Sequence, residues 1–226
     1  LNGLVAEHTS LGDLLMARRE WHDALDHYGE AAKFEQALAA KNPASAEPRL
    51  KLARLNAKRG NALVARGNEL INNPPPPRND ALRAVNDALE RYKDAAEGFE
   101  GLLKENNPPY RELFDARLDI ADLLVRQDKY DEALDTYQAA ATLGQNAPAT
   151  ANMGDWQARL AKAIEEAGDG LAHETASAGA TTPLEFYQNA LDVIEAAAAK
   201  SPGDPRLKPR KDALAAKIEA RKSAAK

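Results

Sequence analysis

The sequence predicts an all-α protein of stacked antiparallel helical hairpins. The first observation is a repeat: Leu14-Leu-Met-Ala-Arg-Arg-Glu-Trp-His-Asp-Ala-Leu-Asp-His-Tyr28 returns with the same skeleton as Leu123-Leu-Val-Arg-Gln-Asp-Lys-Tyr-Asp-Glu-Ala-Leu-Asp-Thr-Tyr137. A copied unit of this kind means that neighbouring copies bury each other's apolar faces. The second is composition, with aromatics at only 5% and frequent alanine runs such as Ala196 to Ala199. Small side chains favour close-packed helices over sheets of β-branched residues. The third is spacing, because apolar residues recur at intervals of three and four along most of the 226 residues.

Leu4, Leu11, Leu14 and Leu15 open the first hairpin, with Gly12 on the same stretch where another helix can approach. A break at Arg18 to Glu20 precedes Trp21, Ala24, Leu25, Tyr28, Ala31, Ala32 and Leu38, which run to a stop at Asn42-Pro43. The second unit starts at Ser45, a helix cap with Pro48 in the first turn, and continues through Leu50, Leu55, Gly60 and Leu63. Gly60 stands to Leu63 as Gly12 stands to Leu15, at an offset of 48 residues. Its partner helix is delayed by Asn72 to Asp80, which contains Pro74 to Pro77 and cannot continue a helix. Ala88, Leu89, Tyr92, Ala95 and Ala96 then match Ala24, Leu25, Tyr28, Ala31 and Ala32.

The third unit joins Leu113, Leu118, Ile120, Ala121 and Leu124 to Tyr130, Ala133, Tyr137 and Ala140. A weaker fourth pairs Trp156, Leu160 and Ile164 with Leu184, Tyr187 and Leu191 across a loose stretch, Gly168 to Thr182. The expected organisation is one domain, 1–226, with repeats at about 1–42, 45–106, 110–144 and 150–200 and a polar capping helix over 204–226.

The net charge of −5 supplies no field to draw the whole chain onto nucleic acid or an anionic membrane. No run approaches the roughly 20 apolar residues of a bilayer span. Without cysteine there is no disulfide, thiolate metal site or cysteine nucleophile. The chain begins at Leu1 with no signal-like stretch, which reads as an excised domain or processed product, soluble, with a cytoplasmic setting preferred.

Catalytic motifs are not visible. His22 and His27 lie five apart, diverge by about 140° on a helix and cannot chelate one ion. The phosphate-loop, dinucleotide and nucleophile-elbow signatures do not occur. No cofactor or metal is expected, and His8, His22, His27 and His173 read as surface or packing residues. One helix is basic, with Arg49, Lys51, Arg54, Lys58, Arg59 and Arg66; pairing with the acidic preceding helix of Asp23, Asp26, Glu30 and Glu35 is the preferred account. A basic strip for nucleic acid is the alternative, and it lacks the aromatics that stack exposed bases.

Gly on the first helix, Ala, Tyr and Ala on the second, and Pro after it make each unit resemble a tetratricopeptide repeat. The residues are Leu11, Gly12, Leu15, Ala24, Tyr28, Ala31 and Pro43; Gly60, Leu63, Ala88, Tyr92 and Ala95; and Ile120, Leu124, Ala133, Tyr137 and Ala140, with Ala121 in place of Gly. The spacing exceeds the usual repeat of about 34 residues. The resemblance implies a right-handed α-solenoid, a non-catalytic scaffold whose groove binds another protein, a peptide or a neighbouring domain. Its groove positions fall on Thr9, Asp13 and Met16, then Arg54, Asn61 and Val64, then Asp122 and Val125. An enzyme's regulatory domain with a pocket at His8, Asp13 and His22 is a further alternative. The tyrosines are expected to pack.

Overall fold

The computed structural model describes residues 1–72, 78–148, 155–173, 181–200 and 203–224. Among them are nine α-helices and no strand, as the sequence predicts: α1 Asn2–Ala17, α2 Trp21–Lys41, α3 Ala46–Asn72, α4 Arg78–Glu100, α5 Tyr110–Val125, α6 Tyr130–Asn146, α7 Trp156–His173, α8 Pro183–Lys200 and α9 Leu207–Ala224. The Pro74 to Pro77 run lies outside the described residues. Two compact units divide the chain at Ala116 and Arg117, within α5.

In the first unit α1 packs on α2, α2 on α3, and α3 on α4. The α1–α2 connection is short because its backbone closes the helix tightly. Arg19 adopts φ 64°, its N–H bonds the Met16 carbonyl, and the Glu20 N–H bonds the Leu15 carbonyl at 3.0 Å. That pair of bonds is a Schellman closure with a non-glycine residue in the left-handed position. Asp128 repeats it between α5 and α6, at φ 58° with the Lys129 N–H on the Leu124 carbonyl. The duplicated sequence therefore duplicates a backbone geometry as well as a hydrophobic pattern.

Val5, Leu15, Ala24, Tyr28, Ala31, Ala32, Leu55 and Ala62 form a buried cluster, flanked by Met16, Leu25, Phe34, Leu38 and Leu52. Alanines at fixed positions let helix axes approach, while each buried Leu contributes about 1.5–3 kcal/mol of transfer free energy. Glu35 is an anomaly in this layer. It is 1% exposed, neither carboxylate oxygen has a hydrogen-bond partner, and the nearest cation, Lys51 Nζ, stands 3.9 Å away. Burial pushes its pKa up, against the pull of Lys51.

In the second unit α6 packs on α7, α7 on α8, and α8 on α9. α8 starts at a capping box: the Thr182 N–H and hydroxyl bond the Glu185 carboxylate, the Glu185 N–H returns to Thr182 Oγ1, and Pro183 holds the first helical position. The stretch read as loose from Gly168 onward is helical through His173. α9 buries Leu207, Leu214 and Ile218 and exposes charged and small side chains.

Candidate binding cleft and the tyrosine pairs

The residues that made the repeat visible form four equivalent hydrogen bonds. Each second-helix tyrosine donates its hydroxyl to the residue after the small residue of its first helix. Tyr28 meets Asp13 Oδ1 at 2.7 Å, Tyr92 meets Asn61 Oδ1 at 2.6 Å, Tyr137 meets Asp122 Oδ1 at 2.8 Å and Tyr187 meets Asp169 Oδ1 at 2.7 Å. The small residue makes room for the ring. A Cβ on Gly12, Gly60 or Gly168 would lie 2.5, 2.7 or 3.0 Å from Cε1 of the matching tyrosine. The tyrosines pack, as expected, with Tyr28, Tyr92, Tyr137 and Tyr187 all at most 3% exposed. Burial and the adjacent carboxylates push the hydroxyls of Tyr28, Tyr137 and Tyr187 above the ordinary tyrosine pKa, so they remain donors.

Three predicted groove residues, Asp13, Asn61 and Asp122, are thus engaged by tyrosines of their own hairpins. The fourth member, Asp169, has no counterpart among the predicted groove residues, because the composition after Gly168 predicts a loose stretch where the helix continues to His173. The signal existed: Gly168-Asp169 has the same relation to Tyr187 that Gly12-Asp13 has to Tyr28, with one extra turn between.

Two of the pairs are covered by a lysine from the next first helix. Lys58 of α3 binds Asp13 Oδ1 and sits 5.7 Å from the Tyr28 ring centroid. Lys217 of α9 lies 2.7 Å from Asp169 Oδ2, 2.8 Å from Glu165 Oε1 and 5.3 Å from the Tyr187 centroid. Burial alone would raise the Asp169 pKa, but Lys217 and the Tyr187 hydroxyl hold it below the carboxylate norm. At the third pair the corresponding position of α7, two residues before the small residue, is Glu166. Burial raises the Asp122 pKa, and Glu166 adds to it, against Tyr137 and Arg126.

The α1–α3 face of the first unit holds a cleft of about 290 Å³ lined by Asn2, Val5, Ala6, Thr9, Ser10, Lys51, Arg54, Leu55 and Lys58. Of the predicted groove residues, Thr9 and Arg54 line it. Met16 packs against the core cluster, and Val64 and Val125 are half-buried. The Thr9 hydroxyl donates to the Val5 carbonyl at 2.7 Å, and Arg54 pairs with Glu112 at 2.6 Å. Four cations of the basic helix find acidic partners outside α2. Arg49 pairs with Glu105, Lys51 with Glu47 and Lys58 with Asp13; of the acidic α2 residues, Glu35 lies 3.9 Å from Lys51 and Asp26 shares a cleft with Arg59 and Arg66. In α9, Arg210 pairs with Glu165, Lys211 with Glu195 and Lys222 with Glu219.

The histidines also find places that linear spacing concealed. His8 Nδ1 and His27 Nδ1 are 2.9 Å apart across α1 and α2, one ring donating to the other. His22 lines a separate cleft of about 450 Å³ with Asp26, Arg59, Arg66, Asp87 and Arg91 among its walls. His8, Asp13 and His22 therefore point to three different environments rather than one pocket. Among the described residues no group of three or more His, Cys, Asp or Glu side chains is arranged to hold a metal ion.

No helix of the described residues is long and apolar enough to cross a membrane. No family model matches this sequence, and no curated protein does. Among solved structures, the chain is similar to a de novo designed helical repeat protein, DHR64, at 16% identity and TM-score 0.42, over 99% of this chain and 93% of that one. It is also similar to the DHF119 filament at 19% identity and TM-score 0.34, over 97% and 92% of the two chains.

Proposed function

We propose that this chain is a non-catalytic helical-repeat scaffold of the tetratricopeptide type, binding an extended peptide or partner helix along the α1–α3 face. The observation that carries the reading is the cleft itself. Val5, Ala6 and Leu55 give it an apolar floor, Lys51, Arg54 and Lys58 stand on its rim, and no carboxylate is among its lining residues. An apolar side chain seated on that floor gains burial free energy, while flanking acidic residues exchange with Glu47, Glu112 and Asp13 for the three cations. In this reading polar selection falls on Arg54, Thr9 and Ser10, while Asp13, Asn61 and Asp122 accept the tyrosine hydroxyls of their own hairpins.

The reading is tested by selecting displayed peptides on the wild-type chain and comparing their affinity for Ser10→Arg and Arg54→Ala variants. Peptides with an apolar residue flanked by acids, weakened about tenfold or more by either change, support it. Selected peptides indifferent to both changes place the binding surface elsewhere.

A further inference from the structure

The outer side of α1 carries an apolar stripe that no part of the first unit covers. Leu4, Leu11 and Leu14 are 43%, 37% and 53% exposed, and Leu1 continues the row. They fall within one narrow sector of the helix, at spacings of seven and three residues. Large aliphatic side chains in a row on one helix mark a surface that another element covers.

The repeat identifies the element. At the offset of 48 residues the same positions in α3 are Leu52, Arg59 and Ala62, and Ala62 is fully buried. α2 packs on α3, and its Ala24, Ala31 and Ala32 share one cluster with Ala62 and Leu55. In α5, at the offset that carries Gly12 to Ala121, the positions are Leu113, Ile120 and Leu123, which are 0%, 7% and 2% exposed. In α7, at the offset that carries Gly12 to Gly168, the first two positions are Leu160 and Ala167, 0% and 4% exposed, and in α9 the seven-residue spacing joins buried Leu207 to Leu214; α6 packs on α7 and α8 on α9. α1 alone among these first helices presents the stripe to solvent.

Charge sets the orientation of a helix docked on this stripe. α1 ends beside exposed Arg18 and Arg19, whereas α2, α6 and α8 each open with acidic residues, namely Asp23, Asp131 with Glu132, and Glu185. α2 runs antiparallel to α3, with its early residues His22 and Asp26 beside Arg66 late in α3. The same arrangement on α1 brings an acidic first turn to Arg18 and Arg19.

We infer that the Leu4–Leu11–Leu14 face of α1 docks an amphipathic helix of a partner protein, alanine-faced and acidic in its first turn, in the position that α2 takes on α3. Its leucines are not among the residues that line the α1–α3 cleft.

The test uses the full chain and a hydrocarbon-stapled peptide of sequence Tyr130–Asn146, whose helicity is first verified by circular dichroism. This sequence presents Ala133, Ala140 and Ala141 without a buried acid like Glu35. Saturable binding is expected, weakened at least tenfold by Leu11→Asp or Leu14→Asp and abolished when Ala140 and Ala141 of the peptide become Arg. The substituted leucines are exposed, so both variants retain the wild-type circular dichroism spectrum. Absence of binding by the helical peptide overturns the inference, as does binding unchanged by Leu14→Asp, which signals exchange with the chain's own α6. Concentration-dependent dimerisation of the chain, lost in Leu14→Asp, also overturns it by placing a second copy on the face.

Discussion

Removing one hydroxyl from the third tyrosine pair should cost more stability than removing it from the first or fourth. Tyr137→Phe deletes the 2.8 Å bond to Asp122, whose carboxyl already has a raised pKa through burial and the Glu166 charge. A hydrogen bond to a charged acceptor contributes about 1.5–3 kcal/mol, and an acceptor left without its donor retains its desolvation cost. Asp122 is exposed on its solvent side and keeps the Arg126 charge, which reduces that cost, so the expected loss is about 1.5 kcal/mol at pH 7. Tyr28→Phe leaves Asp13 still bound by Lys58, and Tyr187→Phe leaves Asp169 with Lys217, so about 1 kcal/mol or less is expected at each. Urea unfolding monitored by hydrogen exchange of α5 and α6 amides reads the Tyr137 change, with exchange in α1 and α2 serving for Tyr28. The Asp122 carboxyl also gives the loss a pH signature. Its folded pKa lies above the unfolded value, so its contribution is favourable below the unfolded pKa and is lost as pH rises through the folded one. Taking away a bond that lowers this pKa raises it further, so the Tyr137→Phe penalty should shrink on going from pH 7 to pH 4. A penalty at Tyr137 no larger than that at Tyr28, or one independent of pH, would refute the reasoning.

Glu166→Lys places at the third pair the cation that Lys58 and Lys217 supply at the first and fourth. It also removes the exposed Glu166–Lys162 pair, so the net gain for the second unit should be about 0.5 kcal/mol or less, with the Asp122 pKa brought down, checked by urea midpoint and by NMR titration of the carboxyl carbon. Glu35→Leu removes a buried carboxylate without hydrogen-bond partners and should stabilise the first unit by about 1 kcal/mol at pH 7. Because the Glu35 pKa is raised, the gain should fade as pH is lowered toward 4; thermal melts across that range would show a constant gain if the carboxylate were not the cause.

The helices were legible because apolar spacing and the Leu–Leu to Tyr skeleton are local signals, and the Arg19 and Asp128 turns follow from copying that skeleton. The hydroxyl bonds were not legible. Tyr28 and Asp13 are 15 residues apart, and nothing in their spacing distinguishes an acid aimed at a groove from one bound by a hidden tyrosine. Asp169 was missed for a different reason: alanine, glycine, serine and threonine after Gly168 resemble a loop, whereas packing of Leu171 and Ala167 carries the helix on to His173. The His8–His27 contact joins two helices and cannot be seen by counting along one. The cleft emerges from the same limit, since Thr9 and Arg54 were named as groove residues while Val5, Ala6 and Ser10, which complete its walls, have no motif of their own.

The central claim is that the α1–α3 face binds peptide, and amide chemical-shift mapping with an acidic, apolar-centred peptide tests it most directly. Shifts confined to Asn2, Ala6, Thr9, Ser10, Lys51, Arg54 and Leu55 are expected. Saturating shifts clustered instead around His22, Arg59 and Arg91, or none at millimolar peptide, would contradict it.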